Sequence, residues 1–357
     1  SAQMERGITT MLPSEAAGEV GALMRERFGL PHWQFTLSAT DANRFLVRLA
    51  REITGRPKIM VHNHCYHGSV DETVCMLDPE SGAVVPRVGA VGPPVDPAVT
   101  TRVVEFNGVA ALERELAHED VACLLIEPAL TNIGIVLPEE GYLDAVRELT
   151  RKHGTLLVID ETHTLCCGTG GYTGAHGLEP DVMTMGKPIG GGIPTGAYGF
   201  TDEVAERILE HTVWDAADVG GVGGTLAGNA LSLASVRATL SEVLTEEAYV
   251  RMIALAERYT AGVQNAIDEH GLGWTVTRLG CRAEYMFQPE APKTGAEAAA
   301  AIAEHHDLDE LMHLYMLNRG ILFTPFHMMA LISPATTEAD VDAHTAAFEE
   351  AAKELVA

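Results

Sequence analysis

Only five lysines occur in the sequence: Lys58, Lys152, Lys187, Lys293 and Lys353. Four stand beside charged or turn residues and read as ordinary solvated side chains. Lys187 differs. It follows the apolar run 182–186, precedes Pro-Ile-Gly-Gly-Gly, and has no other charge near it between Asp181 and Asp202. A lysine stripped of water has a lowered pKa and a nucleophilic amine, as imine chemistry with a carbonyl requires. The plainer reading is a surface lysine on a Gly-rich turn. Asp160 closes the apolar run 156–160 (LLVID). A carboxylate at the C-terminal end of a buried strand faces the crevice of an open sheet. There it could bind a metal, act as a base or hold a protonated heterocycle nitrogen; as a helix cap it would do none of these. The spacing from Asp160 to Lys187 is about one strand-to-strand unit, so both can reach one crevice.

Other groups add weaker signals. Ser38-Ala39-Thr40 stands before an amphipathic run from Asp41, so hydroxyls and free backbone donors would form a phosphate cup at a helix start. Ser/Thr caps occur at many helices, which limits the signal. Gly223-Gly224-Thr225 offers the same chemistry with the same limit. His62, His64, Cys65 and His67 resemble metal ligands, but no second Cys/His group with matching spacing follows. Tyr66, in the same stretch, offers an aromatic platform. Gly168-x-Gly170 and Gly190-x-Gly192 each meet Thr where a dinucleotide fingerprint needs its third Gly, and no P-loop is present.

The elements that would carry these residues alternate. Residues 121–127 (VACLLIE), 156–160, 58–62 and 197–200 read as strands, and 41–54, 141–153 and 202–211 as helices. That alternation predicts an α/β fold, an open, mainly parallel sheet with helices on both faces and its site at the strands' carboxyl ends. From about Leu240 the pattern becomes α+β. A helix is expected at 246–270, strand-like segments at 274–278 and 282–287, and a loop at 289–295. A helix at 308–318, a strand at 321–324 and a helix at 338–355 follow. The expected division is a large domain at 1–239 and a smaller one at 240–357. The chain length of 357 residues and a hydrophobic content of 46% suit two folded units. A net charge of −26 repels nucleic acid and anionic lipid, and no run is apolar enough for a transmembrane helix. Six sparse cysteines and the lack of a leader pattern point to a reducing cytoplasm. The sequence holds thirty-five glycines, densest at 168–177, 186–199 and 220–228. Such clusters either punctuate turns or let backbone approach a ligand closely.

In this order the pieces resemble the class III aminotransferases, the fold-type-I pyridoxal-phosphate family that includes glutamate-1-semialdehyde aminomutase. The resemblance runs from about Gly7 to the C-terminus. It rests on Ser38-Ala39-Thr40-Asp41-Ala42, Cys65-Tyr66-His67-Gly68, Ile126-Glu127-Pro128, Ile159-Asp160-Glu161, Gly186-Lys187-Pro188-Ile189-Gly190-Gly191-Gly192 and Gly224-Thr225. It implies that Lys187 forms the internal aldimine with pyridoxal 5'-phosphate and later shuttles the substrate proton. Asp160 would keep the pyridine nitrogen protonated. Tyr66 would stack on the ring and Thr162 pack on its other face, with His67 part of the same cradle. Ser38, Ala39 and Thr40 would hold the phosphate, Thr225 would reach it from the partner of a homodimer, and Glu127 would lie on the hydroxyl side. On this resemblance the glycines at 186–199 would present Lys187, those at 220–228 would approach the partner's phosphate cup, and 168–177 reads as a flexible loop beside the site; the implied partners are an amino donor and a 2-oxo acid.

Departures from the pattern bear on the substrate. Ser-Ala-Thr replaces the usual Ser-Gly-Thr, and His163 is atypical beside the site. The segment that walls the substrate pocket in the family does not precede this start; it was lost or lies outside the sequence. The aminomutase's Gln-Phe-Glu-Ala has Phe326-His327-Met328-Met329-Ala330 as its counterpart. The missing carboxylate and the Ser-Ala-Thr-Asp-Ala-Asn variant favour transamination of an amine or β-amino acid. The Met pair suggests a soft wall for a bulky or aromatic side chain, unless it is plain core. An intramolecular amino transfer of the aminomutase kind is the alternative, and a non-catalytic relative a further one. Arg44, Arg282 and Arg319 are candidates for a carboxylate fork.

Overall fold

The computed structural model describes residues 2–8, 12–92, 95–211, 220–324 and 327–357. Among these, the strands are β1 (His32–Thr36), β2 (Lys58–His62), β3 (Cys75–Leu77), β4 (Val84–Pro86), β5 (Thr101–Val104), β6 (Val121–Ile126), β7 (Leu156–Asp160), β8 (Val182–Met185), β9 (Gly196–Phe200), β10 (Thr275–Leu279), β11 (Arg282–Met286) and β12 (Met329–Leu331). Seven form one sheet in the order β1-β9-β8-β7-β6-β2-β5. Neighbours from β5 to β8 run parallel, whereas β9 is antiparallel to both β8 and β1. Two reversals return β1 to the direction of β8, so both deliver their carboxyl ends to one edge.

Every residue of β6 and β7 is buried. Helices cover both faces of such a sheet, which is why these strands read as continuous apolar runs without alternation. Helix Ala39–Thr54 starts at Ser38, whose hydroxyl accepts from Asp41 N, and stops at Gly55 in the left-handed conformation. Its Leu46 and Val47, with Val146 and Leu149 of helix Tyr142–Lys152, pack on Leu124, Val158 and Val182 in one core. A second, three-stranded sheet has the order β10-β11-β12. Helices Glu246–His270 and Glu338–Leu355 pack against each other beside it. Their core joins Tyr259, Tyr285 and Phe348 to Met183, Met185 and Ile189, around the segment that carries Lys187.

Two expectations change. Residues 321–324 form no strand; the chain pairs with β11 later, through Met329–Leu331. The 168–177 run is not a flexible loop, because it contains helix Gly171–His176 clasped by buried Glu161. Glu161 accepts from Tyr172 N at 3.0 Å and Thr173 N at 2.5 Å. Of the two readings of the Met pair, Met328 takes that of core packing, in the second core, while Phe326 lies outside the described residues.

Candidate active site

Five strand ends converge. Ser38, Ala39 and Thr40 follow β1, Tyr66 and His67 follow β2, Glu127 follows β6, Asp160 closes β7, and Lys187 follows β8. Together with Thr162, His163 and Thr195 they line a cavity of about 310 Å³. Lys187 has φ +41, in the left-handed region that few non-glycine residues occupy. That strained turn starts the short 3-10 segment Lys187–Gly190 and lets the lysine leave the sheet into the cavity.

Asp160 is nearly enclosed. Its Oδ2 accepts from His67 Nδ1 and Asn43 Nδ2, both at 2.9 Å, and its Oδ1 from Thr162 N at 3.0 Å. Burial opposes its charge, but His67 and these donors outweigh it and hold the carboxyl at about 2. His67 is the mirror image. Burial opposes its proton, and Cys65 together with Asp160 raises the ring to about 10. A permanent carboxylate therefore faces the cavity. The Lys187 amine opens into the cavity but is crowded by protein, and that burial lowers its pKa; Asp160 and Glu127 pull upward, Arg282 downward. Its Nζ stands 5.6 Å from the centroid of the Tyr66 ring. Glu127 accepts from Tyr66 N at 3.1 Å and from Thr131 Oγ1 at 2.6 Å.

The phosphate cup is wedged tightly. A Cβ on Gly186 would stand 2.8 Å from the Ala39 methyl, and one on Gly196 would stand 2.3 Å from Ser38 O. Only glycines allow β8 and β9 to meet the start of helix Ala39–Thr54 this closely. The hydroxyls of Thr162 and Thr195, which line the cavity, are buried without a partner. A helix N-terminus for an anion, unpaired hydroxyls, a fixed carboxylate and a half-desolvated lysine fit pyridoxal phosphate.

Every predicted cavity residue except Thr225 is brought together. Thr225 is exposed, on a separate cavity lined also by Trp33, Phe35 and Tyr198. The His/Cys cluster disperses: His62 pairs with the Tyr142 hydroxyl at 2.7 Å while His67 serves Asp160. Among the described residues no group of three or more His, Cys, Asp or Glu is placed to hold a metal. Arg44 reaches Ser69 O from an exposed position, and Arg319 pairs with Glu350 at the surface. Arg282 is buried and donates to Thr131 O. The residues missed from sequence are Asn43, Thr131 and Thr195. Asn43 carried one signal, a polar residue one turn beyond Thr40 on the same helix.

Fold and site define a pyridoxal-phosphate enzyme of fold type I. A family model, aminotransferase class III, matches residues 2–351. The chain belongs to that family. Glutamate-1-semialdehyde 2,1-aminomutase of Neisseria meningitidis strain FAM18 is 34% identical over 329 residues, covering 90% of this chain and 74% of its own. A structure of a glutamate-1-semialdehyde aminomutase from Pseudomonas aeruginosa PAO1, a lysine-to-alanine variant in complex with PMP, is 50% identical with TM-score 0.95. The match covers 99% of this chain and 78% of that one. An omega-transaminase from Sphaerobacter thermophilus is 28% identical with TM-score 0.87, over 99% and 81% of the two chains.

Proposed function

We propose that the protein transfers an amino group from an amine or β-amino acid to a 2-oxo acid. The observation that carries this reading is the half-desolvated Lys187 in one cavity with permanently ionised Asp160. Lys187 would hold the cofactor covalently, and its Nζ would move the proton from the substrate carbon. Bound there, the cofactor supplies the electron sink. Asp160, held by His67, keeps the ring nitrogen protonated. Ser38, Ala39 and Thr40 bind the phosphate, Tyr66 and Thr162 pack on the two ring faces, and Glu127 lies on the hydroxyl side. Thr225 would reach the phosphate from a second copy of the chain.

The substrate reading is supported by the lining. Leu37, Ile193 and Pro194 are apolar, and no arginine stands among the described lining residues. An apolar amine suits such a wall better than a dicarboxylate. An intramolecular amino transfer is the second reading, favoured by the names of the Neisseria and Pseudomonas relatives. Against it, the stretch matched to Gln-Phe-Glu-Ala holds no carboxylate.

A panel of amines and β-amino acids, with pyruvate or 2-oxoglutarate as acceptor, separates the two. The expected result is bleaching of the bound cofactor's visible band by a donor and recovery only on adding a 2-oxo acid. Turnover of an amino aldehyde without any added 2-oxo acid would favour the mutase. Lys187→Ala should lose turnover and yield no borohydride-fixed cofactor; retention at parental stoichiometry would remove Lys187 from its role.

A further inference from the structure

Glu127 and His163 line the cavity and are joined through Thr131, and the reading above gives His163 and Thr131 no role. His163 Nδ1 lies 2.5 Å from Thr131 Oγ1, and the same hydroxyl lies 2.6 Å from Glu127 Oε2. A threonine hydroxyl has one proton to give. Glu127 is wholly buried, yet although burial opposes its charge, His163, His67 and Thr131 together hold its pKa below the ordinary carboxylate value. An ionised carboxylate only accepts, so Thr131 donates to Glu127 and must accept from His163. Nδ1 therefore carries a proton. In the neutral ring, Nε2 is then a bare acceptor on the side away from Thr131. His163 itself lines the cavity that holds Lys187.

We propose that His163 is a second proton acceptor of this site, taking a proton from the substrate's ammonium group at Nε2. The inference rests on the transamination reading. Amines reach a neutral solution almost wholly protonated, with well under about 1% as free base. A protonated amine has no lone pair with which to attack. The ammonium N–H bond breaks, an Nε2–H bond forms, and the lone pair stays on the substrate nitrogen. The resulting imidazolium is balanced through Thr131 by the Glu127 carboxylate. Other charged groups also act on it. Asp160, which lines the same cavity, favours the cation; Lys187 and the Arg282 guanidinium on Thr131 O oppose it. His67 acts on Glu127 from the β2 side.

Rapid mixing of the holoenzyme with 1-phenylethylamine, following the visible band against pH, tests this. His163→Gln should bleach at least about tenfold more slowly near neutrality, its rate rising about tenfold per pH unit towards the amine's pKa. The parent should be much flatter over the same range. Thr131→Val should shift towards the His163→Gln profile, Thr131→Ser should stay parental, and added imidazole should partly restore His163→Gln. Nitrogen-15 spectra of histidine-labelled holoenzyme give a substrate-free reading. The signal absent from His163→Gln should show the Nδ1–H tautomer, and an Nε2–H tautomer overturns the inference. Parallel pH profiles in parent and His163→Gln overturn it too, while leaving transamination intact. A holoenzyme that no amine of the panel bleaches overturns transamination, and this inference with it.

Discussion

Asp160 and His67 illustrate how the site's charges are held in place. Each group is buried, and each helps to keep the other ionised. His67 is held above the usual histidine value of 6.5, up to about 10, so its contribution to stability is complete below 6.5 and fades as pH rises through 10. Asp160 is held below its usual 3.8, at about 2, so its contribution is complete above 3.8 and fades as pH falls through 2. Replacing His67 by Gln should cost about 3–5 kcal/mol where the pair is intact, since it strands a buried carboxylate. In thermal melts of cofactor-free protein, the gap between parent and His67→Gln should be widest between about pH 4 and 6.5 and close towards pH 10. A gap that widens in alkali would contradict the pairing. At this scale the sequence was eloquent about Lys187 and Asp160, because a charge set against an apolar run is a local property. It gave only a faint signal for Asn43 and none for Thr131. Their roles come from meeting Asp160 and Glu127, and the first of these contacts spans a sequence separation of 117 residues.

Among the elements, the seating of helix Ala39–Thr54 against β8 and β9 decides where the phosphate cup lies. Gly196→Ala would drive a methyl into the Ser38 carbonyl, a backbone atom that cannot step aside. Overpacking of this kind costs about 1–3 kcal/mol. The expected outcome is a lowered melting temperature together with faster loss of cofactor on dialysis. Gly174→Ala is the control: a Cβ there meets nothing within 4 Å, so stability and cofactor retention should hold or improve slightly. Unchanged cofactor retention in Gly196→Ala would mean that the cup tolerates displacement. Long periodic helices and buried strands were legible, with 246–270 and 156–160 bounded as observed. Met329–Leu331 was not, because three residues pair with β11 by register and carry no periodicity of their own. The glycines of 168–177 misled for a related reason. Glycine content suggests freedom, whereas Glu161 fixes that segment from outside it.

At the scale of the whole molecule, Thr225 bears on assembly. Thr225 lies on an exposed turn away from Lys187 in its own chain, so its proposed phosphate contact requires a second copy. Light scattering during gel filtration of the holoenzyme should give twice the 38.2 kDa chain mass. A monomer that retains cofactor would leave Ser38, Ala39 and Thr40 to hold the phosphate without it. The charge of −26 argued against polyanionic partners and contributed nothing to the chemistry. No helix among the described residues is long and apolar enough to cross a membrane.

The second hydrophobic core has a mechanical consequence. Met183, Met185 and Ile189 flank Lys187 in the chain, yet they share packing with Tyr259, Tyr285 and Phe348 of the later sheet and helices. Close-packed interiors transmit displacement rather than absorb it. The later half is thus less a lid hung beside the lysine than its foundation. Substitutions there, at positions remote from any reacting atom, would tilt the amine and so alter its aim before they alter its surroundings.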